Sequence, residues 1–228
     1  MNRVRAFSAR FSRALGWRLT RVSERLDQAP SLAGDRTIEW TWTLARLHHE
    51  PGHILDFGAG NGFLSLAAAF RGHRVVAVDL EPCAFDFEGT SIDYRRGDLN
   101  ELELEEGTFD QILNCSTIEH VGIGGRYGSA TDRNGDLRAM AKLARLLNRD
   151  GDMALTLPIG LDAVYAPHHR VYGKDRLPRL LEGFEIREES FWAKLDGRTW
   201  RSVARDVALG VRGSASYYAL GLLVVAPK

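Results

Sequence analysis

Three glycines at alternate positions follow a carboxylate in the stretch Asp56-Phe57-Gly58-Ala59-Gly60-Asn61-Gly62. Apolar residues at 53–57 predict a buried strand, and residues 63–70 predict a helix, so the glycines lie in a tight loop between the two. Glycine has no Cβ and lets a ligand approach the backbone, while the first turn of a helix offers free N–H groups. We therefore expect a small polar ligand at this loop.

The spacing of the glycines argues against a dinucleotide. The dinucleotide fingerprint is G-x-G-x-x-G, but here Phe63 holds the place of its third small residue. Asp56 also precedes the first glycine by two positions. A carboxylate there repels a phosphate-rich ligand and attracts a cationic one.

Further polar residues follow the next predicted strands. Asp79 ends the strand at 74–79, Gly97-Asp98-Leu99 follows a strand at 92–96, and Ser116 follows a strand at 109–115. The run at 74–79 is nearly continuous in β-branched residues, which is typical of a parallel sheet buried on both faces. Ligands bind beyond the carboxyl ends of such strands, so we expect these residues at one rim.

The order and spacing of these residues over roughly 54–158 resemble the class I methyltransferase family, which uses S-adenosylmethionine. The resemblance implies S-adenosylmethionine as cofactor, with Gly58 and Gly60 close to its methionine moiety. It implies further that Asp79 accepts from the ribose hydroxyls, with Glu81 as a second candidate. The implied cofactor-binding residues are Asp56, Gly58, Gly60, Asn61, Gly62, Asp79, Leu80, Asp98, Leu99 and Ser116.

Simpler structural roles stay open for the three acids. Asp79 and Asp98 also suit helix caps or turns, and Asp56 suits a brace that accepts N–H groups of the glycine loop. Because all three acids occur at the positions expected for one family, we favour the ligand-binding interpretation.

Methyl transfer requires alignment of the nucleophile with the donated methyl group, and an oxygen nucleophile benefits from a general base. His120 follows the fourth strand and is the leading candidate, because imidazole titrates near neutral pH. A second role for it is to pair with a carboxylate and position the cofactor. His168 and His169, after the fifth strand, are alternative bases. No metal site is predicted, since the spacing of ligand-type residues does not single one out.

The segment 121–135 contains five glycines and is predicted as a substrate loop or lid. Its position beside the methyl donor makes it, with the segments after Pro158, the expected determinant of the acceptor.

Strands alternate with helices along the chain, which predicts a doubly wound α/β domain with helices on both faces of a mostly parallel sheet. The resemblance implies seven strands, the last antiparallel, and we expect a late antiparallel pair at the sheet edge. The other predicted elements are a helix from Asp35 to about 50 that covers the pocket or packs on the sheet edge, a helix at 136–148, a strand at 153–157, a helix at about 174–181, and strands at 185–192 and 217–225.

The composition is that of a soluble globular protein: 228 residues, 44% hydrophobic and 26% charged. We find no apolar run near the roughly 20 residues of a membrane span and no export signal. Two cysteines, Cys83 and Cys115, make no disulfide framework, so a cytoplasmic location is expected.

The charge is unevenly distributed. Residues 1–26 contain seven arginines and one acid, a net charge of +6, which leaves −6 on the remainder of a neutral chain. We divide the chain into a basic amphipathic segment at 1–34 and a methyltransferase domain at 35–228. The segment is expected to pack on the domain or on a second subunit, with membrane contact as an alternative. Nucleic acid is not expected, since no basic stripe crosses the body.

These features favour methyl transfer to a small molecule, with oxygen preferred over nitrogen or carbon. The alternative is a non-catalytic nucleoside-binding protein of the same fold that presents its basic head to a partner.

Overall fold

The computed structural model describes residues 32–124 and 131–228. The predicted basic segment therefore lies almost entirely outside the described residues, as does the middle of the glycine-rich segment 121–135. Within the described ranges, no helix combines the length and apolarity needed to cross a membrane.

In the described parts of the chain, eight strands form one sheet and two more form a separate hairpin. The strands of the sheet are β1 (His53–Phe57), β2 (Arg74–Asp79), β3 (Ile92–Arg96), β4 (Phe109–Cys115), β5 (Leu147–Ile159), β8 (Phe184–Ala193), β9 (Arg201–Val203) and β10 (Ala219–Pro227). The hairpin consists of β6 (Ala163–Tyr165) and β7 (His169–Val171). The helices are α1 (Asp35–Leu44), α2 (Phe63–Phe70), α3 (Gly135–Leu146), α4 (Arg176–Leu180) and α5 (Arg205–Leu209), with a short 3-10 helix at Ile118–His120.

The strand order is β3-β2-β1-β4-β5-β10-β8-β9. Strands β1 to β5 are parallel, and the order reverses between β1 and β4, which is where open α/β sheets bind ligands. β10 pairs antiparallel with both β5 and β8. The doubly wound fold and the antiparallel last strand are thus confirmed.

Two details of the predicted sheet were wrong. The sheet has eight strands instead of seven, because β9 pairs antiparallel with the end of β8. The expected late antiparallel pair exists as β8 and β10, but it does not form the edge of the sheet, because β9 pairs with β8 outside it.

Alternate residues of the strands enter two different cores. Leu55 and Val76 face one core, which α3, α4 and α5 cover, while Ile54 and Val75 face the other, which α1 and α2 cover. Because both faces of the sheet are buried, consecutive residues of β2 are apolar. The helices therefore lie on both faces, as predicted.

Long-range contacts shift several element ends from the predicted positions. α1 ends at Leu44 and not near 50, because His48 leaves the helix: its N–H donates to Gln111 Oε1 (3.2 Å) and its Nε2 lies 3.2 Å from Asp152 Oδ2. The start of α1 at Asp35 is as predicted, and Gly34, at φ +84°, is the capping residue before it.

The other differences occur in the second half of the chain. β5 begins at Leu147, six residues before the predicted start, and α3 ends at Leu146. α4 is shorter than the predicted helix at 174–181. β8 spans Phe184–Ala193 where 185–192 was predicted, and β10 spans Ala219–Pro227 where 217–225 was predicted. The two strands pair with each other as far as Phe184 of β8 and Pro227 of β10.

Candidate active site

The glycine loop, residues 58–62, joins β1 to α2. Gly58, Gly60 and Gly62 all have positive φ, at 77°, 54° and 75°, a region that residues with a Cβ rarely adopt. The N–H groups of Gly58 and Ala59 donate to Val78 O at 2.8 and 3.1 Å, which fastens the loop to β2. The sequence thus dictates a loop that curls back over the ends of the central strands.

Two of these glycines are also required by packing within the protein. A Cβ on Gly58 would lie 2.1 Å from Thr117 Oγ1, and a Cβ on Gly62 would lie 2.8 Å from Phe87 Cζ. A Cβ on Gly60 would contact only Gly58 O, at 3.9 Å. Of the three glycines, Gly60 therefore faces the most open space.

Asp79, at the end of β2, both braces the loop and faces the cavity beside it. Its Oδ2 accepts from Gly60 N–H at 2.8 Å, and its Oδ1 accepts from Glu81 N–H at 2.9 Å. A carboxylate has about four acceptor positions, so about two remain for a ligand. The turn role and the ligand-binding role of Asp79 are compatible.

Asp98 and Leu99 follow β3 on the same rim. Asp98 Oδ1 accepts from Asn100 N–H at 2.8 Å, so Asp98 shapes a turn. Gly97 N–H donates to Asp79 O at 2.9 Å and links this turn to β2. Leu99 is buried in the core.

Asp56 lies beneath the glycine loop with 1% of its surface exposed. Its Oδ2 accepts from Ser65 Oγ at 2.5 Å. Burial raises the pKa of Asp56 to about 6, and the hydrogen bond from Ser65 opposes that rise. The side chain fastens β1 to α2.

A cavity of about 380 Å³ opens at the carboxyl ends of β1 to β4. Ten of the thirteen predicted site residues line it, and Gly62, His168 and His169 are absent from its wall. The ten are Asp56, Gly58, Gly60, Asn61, Asp79, Leu80, Asp98, Leu99, Ser116 and His120. The topology therefore brings together residues from four separate strand ends.

His120 is the one predicted base on the cavity wall. Its Nδ1 lies 2.5 Å from the carbonyl oxygen of His168, and since a carbonyl can only accept, Nδ1 carries the proton. Nε2 lies 3.7 Å from Glu119 Oε1. His120 and Glu119 are therefore neighbours, and a role of this pair in positioning the cofactor stays a prediction.

The structure places the other two histidines differently. His168 contributes its backbone carbonyl to His120. His169 is 4% exposed in β7, where its Nε2 lies 3.1 Å from Ser214 O and its ring meets Tyr218 edge-on at 5.0 Å. Both imidazoles lie away from the cavity wall.

The buried carboxyl group of Glu119 lies behind the end of β4. Glu119 is 1% exposed, and among the described residues its Oε2 has no hydrogen-bond partner. Burial raises the pKa of Glu119 to about 8, so it holds its proton at neutral pH. Ser116 has φ +49°, unusual for a residue with a side chain, and its N–H donates to Thr156 O at 3.0 Å.

Sequence reasoning offered α1 as a cover for the pocket but did not identify the residues of the helix that line the cavity. Arg36 and Trp40 both line it, and Trp40 stacks on Phe63 with ring centroids 4.7 Å apart. The signal was available, because residues four apart share one face of a helix. α1 covers the pocket with this face, while Trp42 on its other side is buried against the sheet. The helix thus lines the pocket, and it packs on the face of the sheet over β4, β5 and β10 and not on the predicted sheet edge.

Buried charged side chains hold the described ends of the segment 121–135. Arg170 is 3% exposed, and its Nη2 donates to Asp132 O at 3.3 Å, while Asp132 N–H donates to Gly122 O at 2.8 Å. Asp136, fully buried, accepts from Arg176 at 2.6 and 2.9 Å. Arg170 therefore anchors this segment and does not face the cavity.

Comparison with known proteins adds a family model and several relatives. The family described as "Caenorhabditis protein of unknown function, DUF268" matches residues 97–194, less than half of the chain. The Ubiquinone biosynthesis O-methyltransferase of Methylocella silvestris is 38% identical over 104 residues, which cover 41% of this chain and 41% of that protein. The chain thus spans about two fifths of the length of this curated relative.

Solved structures match over nearly the whole chain. The Burkholderia thailandensis 1,6-didemethyltoxoflavin-N1-methyltransferase, solved with S-adenosylhomocysteine bound, has a TM-score of 0.55 at 20% identity and covers 96% of this chain and 90% of that one. A TehB-like SAM-dependent methyltransferase from Corynebacterium glutamicum has a TM-score of 0.53 at 19% identity and covers 96% and 100%. The protein has the fold of the class I S-adenosylmethionine-dependent methyltransferases.

Proposed function

We propose that this protein transfers a methyl group from S-adenosylmethionine to a small-molecule acceptor, with oxygen the favoured nucleophile. The observation that carries the proposal is the cavity at the switch point of the sheet, where the glycine loop, Asp79 and Asp98 meet. We assign the activity to residues 35–228. The relatives named as O-methyltransferases support the choice of oxygen.

The residues of the rim suit a nucleoside. The two remaining acceptor positions of Asp79 match a pair of adjacent ribose hydroxyls. Asp98 and Leu99, one strand further along, are placed for the base. The open face at Gly60 leaves room for the methionine moiety, and the nearby carboxylates favour a sulfonium cation.

His120 is our choice for the general base. With its Nδ1 proton donated to the His168 carbonyl, Nε2 is the ring nitrogen that can accept a proton from an acceptor hydroxyl. Its place at the end of β4, beside Ser116 and Thr117, lies on the side of the glycine loop opposite to Asp79. We expect the acceptor to approach the methyl group from that side.

Two measurements test the proposal. Titration calorimetry with S-adenosylhomocysteine tests the cofactor, and absence of binding at millimolar ligand would refute it. Transfer of labelled methyl groups to a panel of phenols, amines and carbon acids tests the reaction. Binding without transfer to any acceptor would favour the non-catalytic nucleoside-binding alternative.

A substitution tests the base. His120→Gln is expected to lower kcat by about 10²- to 10⁴-fold, as loss of a general base does, with little change in nucleoside affinity. His49→Gln is the matched control, because His49 lies in the loop after α1 and lines a different cleft. Full turnover by His120→Gln would leave His120 with a positioning role only.

A further inference from the structure

A second cleft, of about 510 Å³, opens beside the cavity. It lies between the hairpin of β6 and β7, helix α4 and the described ends of the segment 121–135. Gly122 belongs to the walls of both, so the cleft begins where the cavity ends. The residues assigned to the nucleoside all lie outside the cleft.

A tight turn leads from His120 to the cleft. Ile123 N–H donates to His120 O at 3.3 Å, and Val121 (φ −65°, ψ 122°) and Gly122 (φ +74°) have the angles of a type II turn. The Cα atoms at the two ends of such a turn lie less than about 7 Å apart. An acceptor with its hydroxyl at His120 therefore reaches the cleft across Gly122, where no side chain blocks the way.

Part of the cleft wall is apolar. Ile123 lines it together with Ala163, Val164 and Ala166 of the hairpin, and Val164 is 59% exposed. A ring or a short hydrocarbon chain bound here would remove this surface from water, which is favourable.

The charged part of the wall is mainly basic. Among the described residues it contains four arginines and two aspartates: Arg133, Arg170, Arg176, Arg179, Asp162 and Asp175. The excess of positive charge is local, since residues 27–228 carry a net charge of −6. An anionic group is therefore attracted to this part of an otherwise acidic body.

Three of these charged side chains are occupied within the protein. Arg170 donates to Asp132 O at 3.3 Å, and Arg176 donates to both carboxylate oxygens of Asp136 at 2.6 and 2.9 Å. Asp162 accepts from three backbone N–H groups at 2.8, 2.9 and 3.2 Å. Their charges are paired or hydrogen-bonded before any ligand arrives.

Arg133 and Arg179 have no such partners. Both are exposed, and in the described parts of the chain neither guanidinium makes a hydrogen bond or an ion pair. Each carries five N–H donors in a planar fork that matches a carboxylate or a phosphate. Arg176 also donates to Arg133 O at 2.7 Å, so the backbone at Arg133 is fastened to α4, which carries Arg179.

We propose that this cleft binds the far end of the methyl acceptor, an apolar group that carries a carboxylate or a phosphate, with Arg133 and Arg179 as the residues that recognise the anion. The inference rests on the proposed function and names the class of acceptor, an amphipathic hydroxy acid. The anionic group takes no part in the transfer: the hydroxyl oxygen bonds to the methyl carbon, the bond from that carbon to sulfur breaks, and the hydroxyl proton passes to His120.

The test measures binding to the protein saturated with S-adenosylhomocysteine. The probes are para-hydroxyphenyl alkanoic acids of increasing chain length, each with its primary amide and with the phosphate of the same length. For at least one length, the wild type is expected to bind an anionic probe about 10- to 100-fold more tightly than the amide, the range for hydrogen bonds to a charged group. The tighter of the carboxylate and the phosphate identifies the anion.

A double variant tests the two arginines. Arg133→Gln combined with Arg179→Gln is expected to abolish the preference for the anion. It should leave the affinities for the amide and for S-adenosylhomocysteine unchanged, because neither arginine lines the cavity. Arg149→Gln is the matched control: Arg149 is also exposed, but it lies near the start of β5, at the opposite end of the strand from the cleft.

The outcomes separate the inference from the function on which it rests. Equal binding of acids and amides by the wild type, binding of no probe at millimolar concentration, or a preference that survives in the double variant would each overturn the inference while leaving nucleoside binding in place. If the double variant does not fold, the single variants are each expected to lose part of the preference, and full preference in both would overturn it equally. Absence of S-adenosylhomocysteine binding by the wild type would overturn both.

Discussion

Substituting Gly58 by alanine tests whether the glycine loop is constrained by its own protein neighbours. Gly58 has φ +77°, and a Cβ there would lie 2.1, 2.3 and 2.7 Å from Oγ1, Cγ2 and Cβ of Thr117. The left-handed conformation costs about 1–2 kcal/mol for alanine, and forcing a side chain aside costs about 1–3 kcal/mol more. Gly58→Ala is therefore expected to lower the free energy of unfolding by about 2–5 kcal/mol.

Gly60→Ala provides the control, because Gly60 shares the positive φ but its added Cβ would meet only Gly58 O at 3.9 Å. It is expected to cost only the conformational part, about 1–2 kcal/mol. Urea denaturation followed by circular dichroism gives both values by linear extrapolation.

A double-mutant cycle isolates the contact with Thr117. Thr117→Gly removes all three atoms that the new Cβ would meet, so Gly58→Ala should cost about 1–3 kcal/mol less in that background than in the wild type. Gly60→Ala should cost the same in both backgrounds. If Gly58→Ala and Gly60→Ala are equally destabilising and neither is coupled to Thr117, the packing argument is refuted.

Three further predictions concern charged groups. Asp79→Asn is expected to weaken S-adenosylhomocysteine binding by about 10- to 100-fold in calorimetry, while Asp93→Asn, at an exposed position of β3, should leave it unchanged; equal affinities would remove Asp79 from the ribose site. Glu119 has a pKa raised by burial from 4.5 to about 8, so the native state holds a proton that the unfolded chain releases, and stability falls as pH rises across that interval. Glu119→Gln should therefore raise the free energy of unfolding at pH 9 by up to about 5 kcal/mol, at about 1.36 kcal/mol per pKa unit, and change it little at pH 4.5. An unchanged pH slope would contradict this account. The hydrogen bond with Asp152 raises the pKa of His48 above its ordinary 6.5. The stability that His48 contributes is therefore fully present below about pH 6.5 and is lost as the pH rises through the higher native pKa. His48→Gln should destabilise the protein in acid solution and have no effect at pH 9, as thermal melts at the two pH values would measure.

The local part of the fold could be predicted from the sequence. The bounds of β1 to β4 and of α2 agree with the predicted ranges. β1 and β2 are short apolar runs that end at a glycine or at an acid, and such runs can be recognised locally. The rim was predictable for the same reason, since parallel strands carry the residues that follow them to one edge. Ten predicted site residues meet there.

The remainder depends on contacts between distant residues. Glu39 is fixed by Ser116 and Thr156, which lie 77 and 117 positions further along the chain, and nothing near Glu39 signals either partner. The local sequence also could not show which of the three candidate histidines lines the cavity. His169 is buried against Ser214, and only the three-dimensional structure shows that His168 serves through its carbonyl.

The position of β10 has a consequence for how the chain folds. Residues 219–227 insert between β5 and β8, so the sheet cannot be completed until this segment has been synthesised. Until then the outer edge of β5, which is apolar from Met153 to Leu157 except at Thr156, has no partner strand, and unpaired apolar edges promote aggregation. We therefore expect ribosome-bound chains that end before residue 219 to be sensitive to protease and to require chaperone protection, and a full-length chain to become resistant in one late step.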